Sequence, residues 1–436
     1  MSYVFGSIFN YLKENGNSIR EKMFASQSPI LNEVSLLIEG MWNNLPGGHI
    51  DLPERIAAVD GGLLRYRLDN GGSLIIASSY LVARNIPEAS KSICTFIYPP
   101  SRSIGFLIMR TLELELAEQA ISNMNREDIL FLDGSLYGLM SHLPITPRNA
   151  PMEYGEVLLR FYDQLNRLLR KAEEKKIMLL SVSKYSSSRF LKEYILKSLF
   201  DEELARLRNS SILEPRDLQH VETLPSLIYD NSVKALELSR RLRRKYGPSL
   251  EKINSIVEEF ARQIPDLFLL KNYIQGLGFT NPILLGPSLK LQKLFKKISE
   301  NVEEATLHYF KLDLNYVKDV KATIEKMLNI CSVCSFYLRL DSQDYPLKID
   351  VPSYVFRTVE RFFNVDELKM VENNSTTDEI VGVLKELYAN KEIYNVWLYE
   401  ADRKARINRK STDIIYQILL KTIGKIDLAR RGIEES

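Results

Sequence analysis

The sequence predicts an α/β fold built on a mixed sheet, and three observations carry that expectation. Two short apolar runs, "RIAAVDGG" and "EDILFLDGSLYG", read as buried strands and share one design, an Asp-Gly at the end. Between them, "LLRYRLDNGGSLIIASSYLVAR" alternates on both sides of Asn70-Gly71-Gly72, whose residues tolerate positive φ and so signal a hairpin. The order strand, hairpin, strand, helix, strand, helix, strand then describes an α/β layer.

Each element follows from its local pattern. Residues 1–45 read as helix, with helical spacing in "ILNEVSLLIEGMW" and a stop at "NNLPGG". "SICTFIYPPS" is a strand running into a loop, and "IGFLIMRTLELELAEQAISNM" has helical period and good helix formers. "EYGEVLLRFYDQLNRLLRKAEEKK" is a strongly amphipathic helix, and "IMLLSVSKYSSSRFL" is an apolar strand entering a Ser-rich turn. Helical runs such as "SVKALELSRRLRRKYG" then dominate, and strand character returns in "SVCSFYLRLDSQDYPLKIDVPSYVF", a hairpin across "DSQDYP". A polar segment, "ENNSTTDE", precedes two last helices. The expected organisation is an N-terminal helical segment (1–48), a sheet-bearing core (49–194 and 311–436) and a helical insertion (195–310).

Composition narrows the function classes. The 436 residues are 45% hydrophobic and 26% charged, as in ordinary globular proteins. With 58 Lys plus Arg against 56 Asp plus Glu, the net charge is only +2, so a nucleic-acid surface must be local. Cys94, Cys331 and Cys334 are too few for a disulfide framework, and with no signal peptide a reducing cytoplasm is expected. No stretch of about 18 uninterrupted apolar residues suggests a membrane span. Cys331 and Cys334 lack a second ligand pair for zinc, and the four histidines form no ligand-spaced pair. Neither a G-x-x-x-x-G-K-[ST] loop nor a G-x-G-x-x-G is present, so any motor must come from a partner.

The chemistry-bearing residues are acids. Asp60 and Asp133 are delivered by apolar strands, and a following glycine lets the backbone turn sharply or another group approach closely. Carboxylates at the ends of central strands suit hard divalent ions. "RTLELELAEQ" adds Glu113 and Glu115 on a helix, and only one can face the sheet, because residues two apart point about 200° apart. One Asp-Gly alone is most often a turn. Two on one sheet, with an acid-bearing helix between, point to a metal site for phosphodiester hydrolysis.

The segments "AAVDGG", "MRTLELELA", "ILFLDGSL", "LLSVSKYSSSRFL", "LKIDVP" and "YNVWLYEADRKARI" stand in the order and at about the spacing of the NurA nucleases, which this chain resembles over about residues 50–436. The resemblance implies an RNase H-like core, a homodimer, and Mn2+-dependent hydrolysis of DNA, with Mg2+ as the alternative ion. It also implies work beside a HerA-type translocase in the end resection of DNA breaks. Asp60, Glu113 and Asp133 would be metal ligands, Glu113 being favoured over Glu115 because the family's Glu follows an Arg and two further residues, here Arg110.

In its last motif the chain departs from the family. Tyr394, Leu398 and Ala401 are in register, but Asn395 replaces a Pro and Asp402 stands where the family has His. Either Asp402 serves as a fourth carboxylate ligand, or the site has lost an imidazole that ligates metal or shuttles protons. Tyr394 would orient a phosphate or the water, or stack on a base. Arg403, Arg406 and Arg409 form a basic helix face suited to phosphates, and Lys184, at a strand end, is a comparable candidate. Each is equally compatible with a solvated surface. The "RRLRRKYG" run, Arg240 to Gly247, either lines a DNA path or is a solvated helix end.

The leading expectation is therefore a metal-dependent deoxyribonuclease; the alternative is a catalytically weak adaptor that clamps DNA for the translocase. A sugar-kinase or actin-like ATPase would need a Gly-rich adenosine-binding turn after residue 320, and none is found.

Overall fold

The computed structural model describes residues 7–9, 11–16, 30–358, 360–372, 375–407, 414–415, 417–418, 421–422 and 428–435. The expected nucleic-acid contact Arg409 and parts of the N-terminal helical segment, 1–6, 10 and 17–29, lie outside them.

The chain forms two compact units, Met1–Met41 with Leu191–Leu269, and Trp42–Phe190 with Leu270–Ser436. The second is built on a twelve-stranded sheet among the described residues. Its early elements are β1 (Trp42–Asn43), β2 (Ile56–Leu68), β3 (Ser73–Arg84), β4 (Ala89–Ile97), helix α1 (Arg102–Ser122), β5 (Ile129–Asp133), helix α2 (Tyr154–Lys175) and β6 (Met178–Ser183). There follow β7 (Gly278–Thr280), β8 (Ile283–Leu285), α3 (Val317–Leu328), β9 (Val333–Arg339), β10 (Leu347–Pro352), β11 (Lys369–Met370), α4 (Ser375–Glu386), α5 (Val396–Ala405) and β12 (Leu428–Glu435). The order β4-β3-β2-β5-β6, with an antiparallel β2-β3-β4 meander and β2, β5 and β6 parallel, is the RNase H-like core. The sheet continues antiparallel through β10 and β9.

The hairpin forms where the sequence expects it. Asn70 Oδ1 accepts from Gly72 N at 2.9 Å, Leu68 N donates to Gly72 O, and Gly71 takes φ +80°. Against expectation, "RIAAVDGG" is not a separate short strand. β2 runs unbroken for 13 residues through both glycines, with Gly61 and Gly62 paired to Ser79 and Ser78 of β3. What stops after Val59 is the parallel pairing with β5, at Val59–Leu132, so Asp60 and Asp133 sit side by side just beyond that ladder. The helical insertion expected over 195–310 also differs. Residues 270–310 belong to the sheet unit and supply β7 and β8, three residues each, too short to show a period of two.

Side-chain alternation assigns the two faces. Ile56 and Ala58 of β2 and Ile129 and Phe131 of β5 pack with Ile380 and Leu384 of α4 and Leu398 and Ala401 of α5. On the opposite face α1 lies along β2 and β3 and packs on α2, which packs on α3. β9 is buried at every position, as a strand covered on both faces must be.

The helical unit contains the helices Ile30–Gly40, Pro215–Glu222, Leu224–Tyr246 and Glu251–Ala261. Its core holds a fully buried cation. Lys192 Nζ donates to Arg262 O at 2.7 Å and stands 3.5 Å from Glu259 Oε1. The basic run is largely paired within the unit, Arg240 with Glu258, Arg243 with Glu251, and Lys245 with Asp217 and Glu214, which favours its reading as a charged helix end. No helix among the described residues is long and apolar enough to cross a membrane.

Candidate active site

The acids converge from both faces of the sheet. Asp60 is one residue past Val59 in β2, in phase with Ala58, and so points toward the α4–α5 layer. Gly61 faces the other way, toward α1. A Cβ there would collide with Glu113 Oε1 and approach Met109 Cγ to 2.7 Å. The missing side chain is thus what lets a carboxylate from α1 reach an acid on the far side of the strand. Gly62 serves a second close approach: its Cβ would lie 2.5 Å from Ala405 O at the end of α5, an oxygen that accepts from Ser78 Oγ at 2.7 Å. At β5 the glycine does turn the chain, with Gly134 at φ +95° immediately after Asp133.

Of the two helix acids, only Glu113 joins the site. It is buried, and Oε2 accepts from Arg110 Nη1 at 2.6 Å, while Oε1 is buried with no hydrogen-bond partner. Glu115 faces away and is held by Lys91 at 2.6 Å and by Arg160. Asp60 Oδ1 accepts from Gly61 N at 2.7 Å. Tyr394, buried at the entry to α5, donates from its hydroxyl to Asp133 Oδ1 at 2.6 Å.

Electrostatics register the crowding. Burial, then the charges of Asp133 and Glu113, push the Asp60 carboxyl up to about 8. Burial likewise raises Glu113, partly offset by Arg110. Burial works against the Arg110 guanidinium, but Glu113, Asp133 and Asp60 together hold it above its usual range. Burial and Asp133 raise the Tyr394 phenol well above 10, so it stays protonated and donates.

Asp60, Asp133, Lys184, Tyr394 and Asp402 line one open cleft of about 700 Å³. Lys184 Nζ stands 4.1 Å over the Tyr394 ring and donates to Glu392 O at 3.2 Å, while Tyr185 is exposed at the same cleft. Asp402 is exposed on α5. Arg403 pairs with Glu400 at 2.7 Å and Arg406 is exposed just past the helix, so neither is built into the acid cluster.

The donors fit a hard divalent cation. They are carboxylate oxygens, one is buried without a partner, and the burial and neighbouring negative charge that disfavour the ionised Asp60 carboxyl are what a bound cation offsets. Among the described residues no three His, Cys, Asp or Glu side chains already surround a single point. Arg110 engages Glu113, and Tyr394 engages Asp133.

Sequence reasoning missed a second network behind Asp133. Lys348 and Asp350, both fully buried on β10, pair at 2.6 Å. Asp350 also accepts from Ser135 Oγ at 2.6 Å, Tyr137 N at 3.1 Å and Ser335 Oγ at 2.5 Å. The available signal was "LKIDVP", where Lys and Asp two apart share one face of an otherwise apolar strand.

An RNase H-like sheet that brings Asp60 of β2 and Asp133 of β5 to one cleft, with Glu113 of α1 packed against Gly61, defines a nuclease-type protein. The chain belongs to the NurA family: its NurA domain spans residues 54–407. Among solved structures it is similar to a crystal structure of NurA, at 16% identity and a TM-score of 0.43 over 98% of each chain. It is similar to NurA bound to dAMP and manganese at 14% identity and a TM-score of 0.41, over 94% of this chain and 97% of that one. An endonuclease V of Ciona intestinalis in complex with inosine-containing DNA follows at 9% identity and a TM-score of 0.26, over 88% and 96%. No curated protein matches the sequence.

Proposed function

We propose that this chain is a metal-dependent deoxyribonuclease that works as a homodimer beside a HerA-type translocase in the cytoplasm, in resection of DNA ends. The observation that carries the catalytic reading is the placement of Asp60 and Asp133 on neighbouring strands at one cleft, with Glu113 of α1 packed against Gly61 beside them. These three would hold Mn2+ or Mg2+, with Asp402 as the candidate fourth carboxylate. When bound, the ion supplies charge stabilisation of the phosphodiester and lowers the pKa of a water.

The chain's own residues position everything else. Tyr394 fixes the rotation of the Asp133 carboxylate through the bond to Oδ1. Lys184, held over the Tyr394 ring, places a cation in the cleft where a phosphate would lie. Arg403 and Arg406 sit further out and would add unspecific attraction for the DNA backbone.

The second reading, an adaptor that clamps DNA with little turnover, rests on Asp402, the acid standing where the family has His. Cleavage of labelled linear DNA with Mn2+ separates the two. The nuclease reading expects cutting by the wild type and its loss in Asp60→Ala with the fold retained. No cutting by the wild type, with cutting restored in Asp402→His, would establish the adaptor.

A further inference from the structure

We infer that Arg110 is the positioning residue of the acid site. It holds Glu113 by one oxygen so that the other, Oε1, is presented to a divalent cation. The inference rests on the metal-site reading above.

Three features of the geometry carry it. Arg110 and Glu113 are three apart on α1 and so share a helix face, and the guanidinium lies 5.1 Å from the Phe106 ring. The single nitrogen Nη1 reaches both Glu113 Oε2, at 2.6 Å, and Asp133 O, at 3.1 Å. One side chain therefore ties an acid on the helix to the main chain that carries an acid on β5. Finally, Glu113 Oε1 is left buried and unpartnered beside Gly61, where any side chain would displace it. A buried carboxylate oxygen with no donor is costly, and its persistence calls for a partner that arrives later. Gly134, at φ +95°, lets the guanidinium lie against the turn, since a Cβ there would be 3.1 Å from Nη2.

The sign of one effect makes this testable. A cation next to a cation site weakens binding by repulsion, so deleting a mere counter-ion tightens the metal. Deleting a positioning residue loosens it, and partners that orient metal ligands are typically worth about 10–100-fold in affinity. The experiment is calorimetric titration of Mn2+ into the metal-free full chain, for the wild type, Arg110→Gln, Arg110→Lys and Asp60→Asn. Arg110→Gln is expected to weaken Mn2+ binding about tenfold or more. Arg110→Lys, which keeps the charge but is one atom shorter, so that its ammonium falls short of the point from which Nη1 reaches Glu113 Oε2 and Asp133 O, is expected to weaken it as well.

Tighter or unchanged binding in Arg110→Gln, or wild-type affinity in Arg110→Lys, overturns the inference while Asp60→Asn still weakens the metal. Should Arg110→Gln not fold, the Arg110→Lys result decides. No Mn2+ binding by the wild type, or unchanged binding in Asp60→Asn, removes the metal site itself and this inference with it.

Discussion

Gly61 is the residue on which the site's geometry turns. In an ordinary strand, Gly to Ala stabilises, because the glycine loses more freedom on folding. Here the sign is reversed: the added methyl meets Glu113 Oε1 and Met109. Gly61→Ala is expected to destabilise by about 1–3 kcal/mol, as overpacking does, and to lower Mn2+ affinity, which denaturant unfolding and titration would read. A stabilised variant would show that Glu113 does not need that space. The places of Asp60 and Asp133 are legible in sequence, since each follows an apolar run with strand character. The reason for the glycines is not. "VDGG" reads as a sharp turn, yet only the packing of α1 and α5 against opposite faces of β2 explains two glycines in an unbroken strand.

At the scale of elements, β10 braces the turn that leaves Asp133. Lys348 is fully buried, and its carboxylate partner among the described residues, Asp350, also holds the hydroxyl of Ser135 and the amide of Tyr137. Removing one member of a buried ion pair typically costs about 3–5 kcal/mol, because the other charge is left uncompensated. Lys348→Met is therefore expected to lose stability on that scale in thermal or denaturant unfolding. Lys348→Met with Asp350→Asn should recover part of the loss, and a double variant worse than the single would contradict the pairing. The β2–β3 hairpin and the β9–β10 hairpin were legible, the first from Asn70-Gly71-Gly72 and the second from the polar break between two apolar runs. β7 and β8 were not, since three buried residues look the same in a strand as in a helix.

For the whole molecule, the response to acid is open to test at one carboxylate cluster of the helical unit. In the helical unit Asp217 accepts from Lys245 Nζ and Tyr246 Oη, both at 2.7 Å, and these bonds hold its carboxyl down to about 2. A carboxyl lowered on folding contributes stability that is complete above its ordinary value near 4 and is lost as pH falls toward about 2. Asp217→Asn should make acid unfolding over that window less steep, by a modest amount because the cluster is solvent-screened, with circular dichroism as the readout. An unchanged acid limb would remove the assignment. In the sheet unit the central matter is whether Asp60, Glu113 and Asp133 act as one device. Residues that act as a unit are strongly non-additive when removed. The most direct test is single-turnover cleavage of labelled linear DNA with Mn2+ by Asp60→Ala, Asp133→Ala and the two combined. One shared site predicts that either change alone removes nearly all cutting and that the pair is no worse, whereas singles that keep substantial activity, or losses that multiply in the double variant, would contradict it.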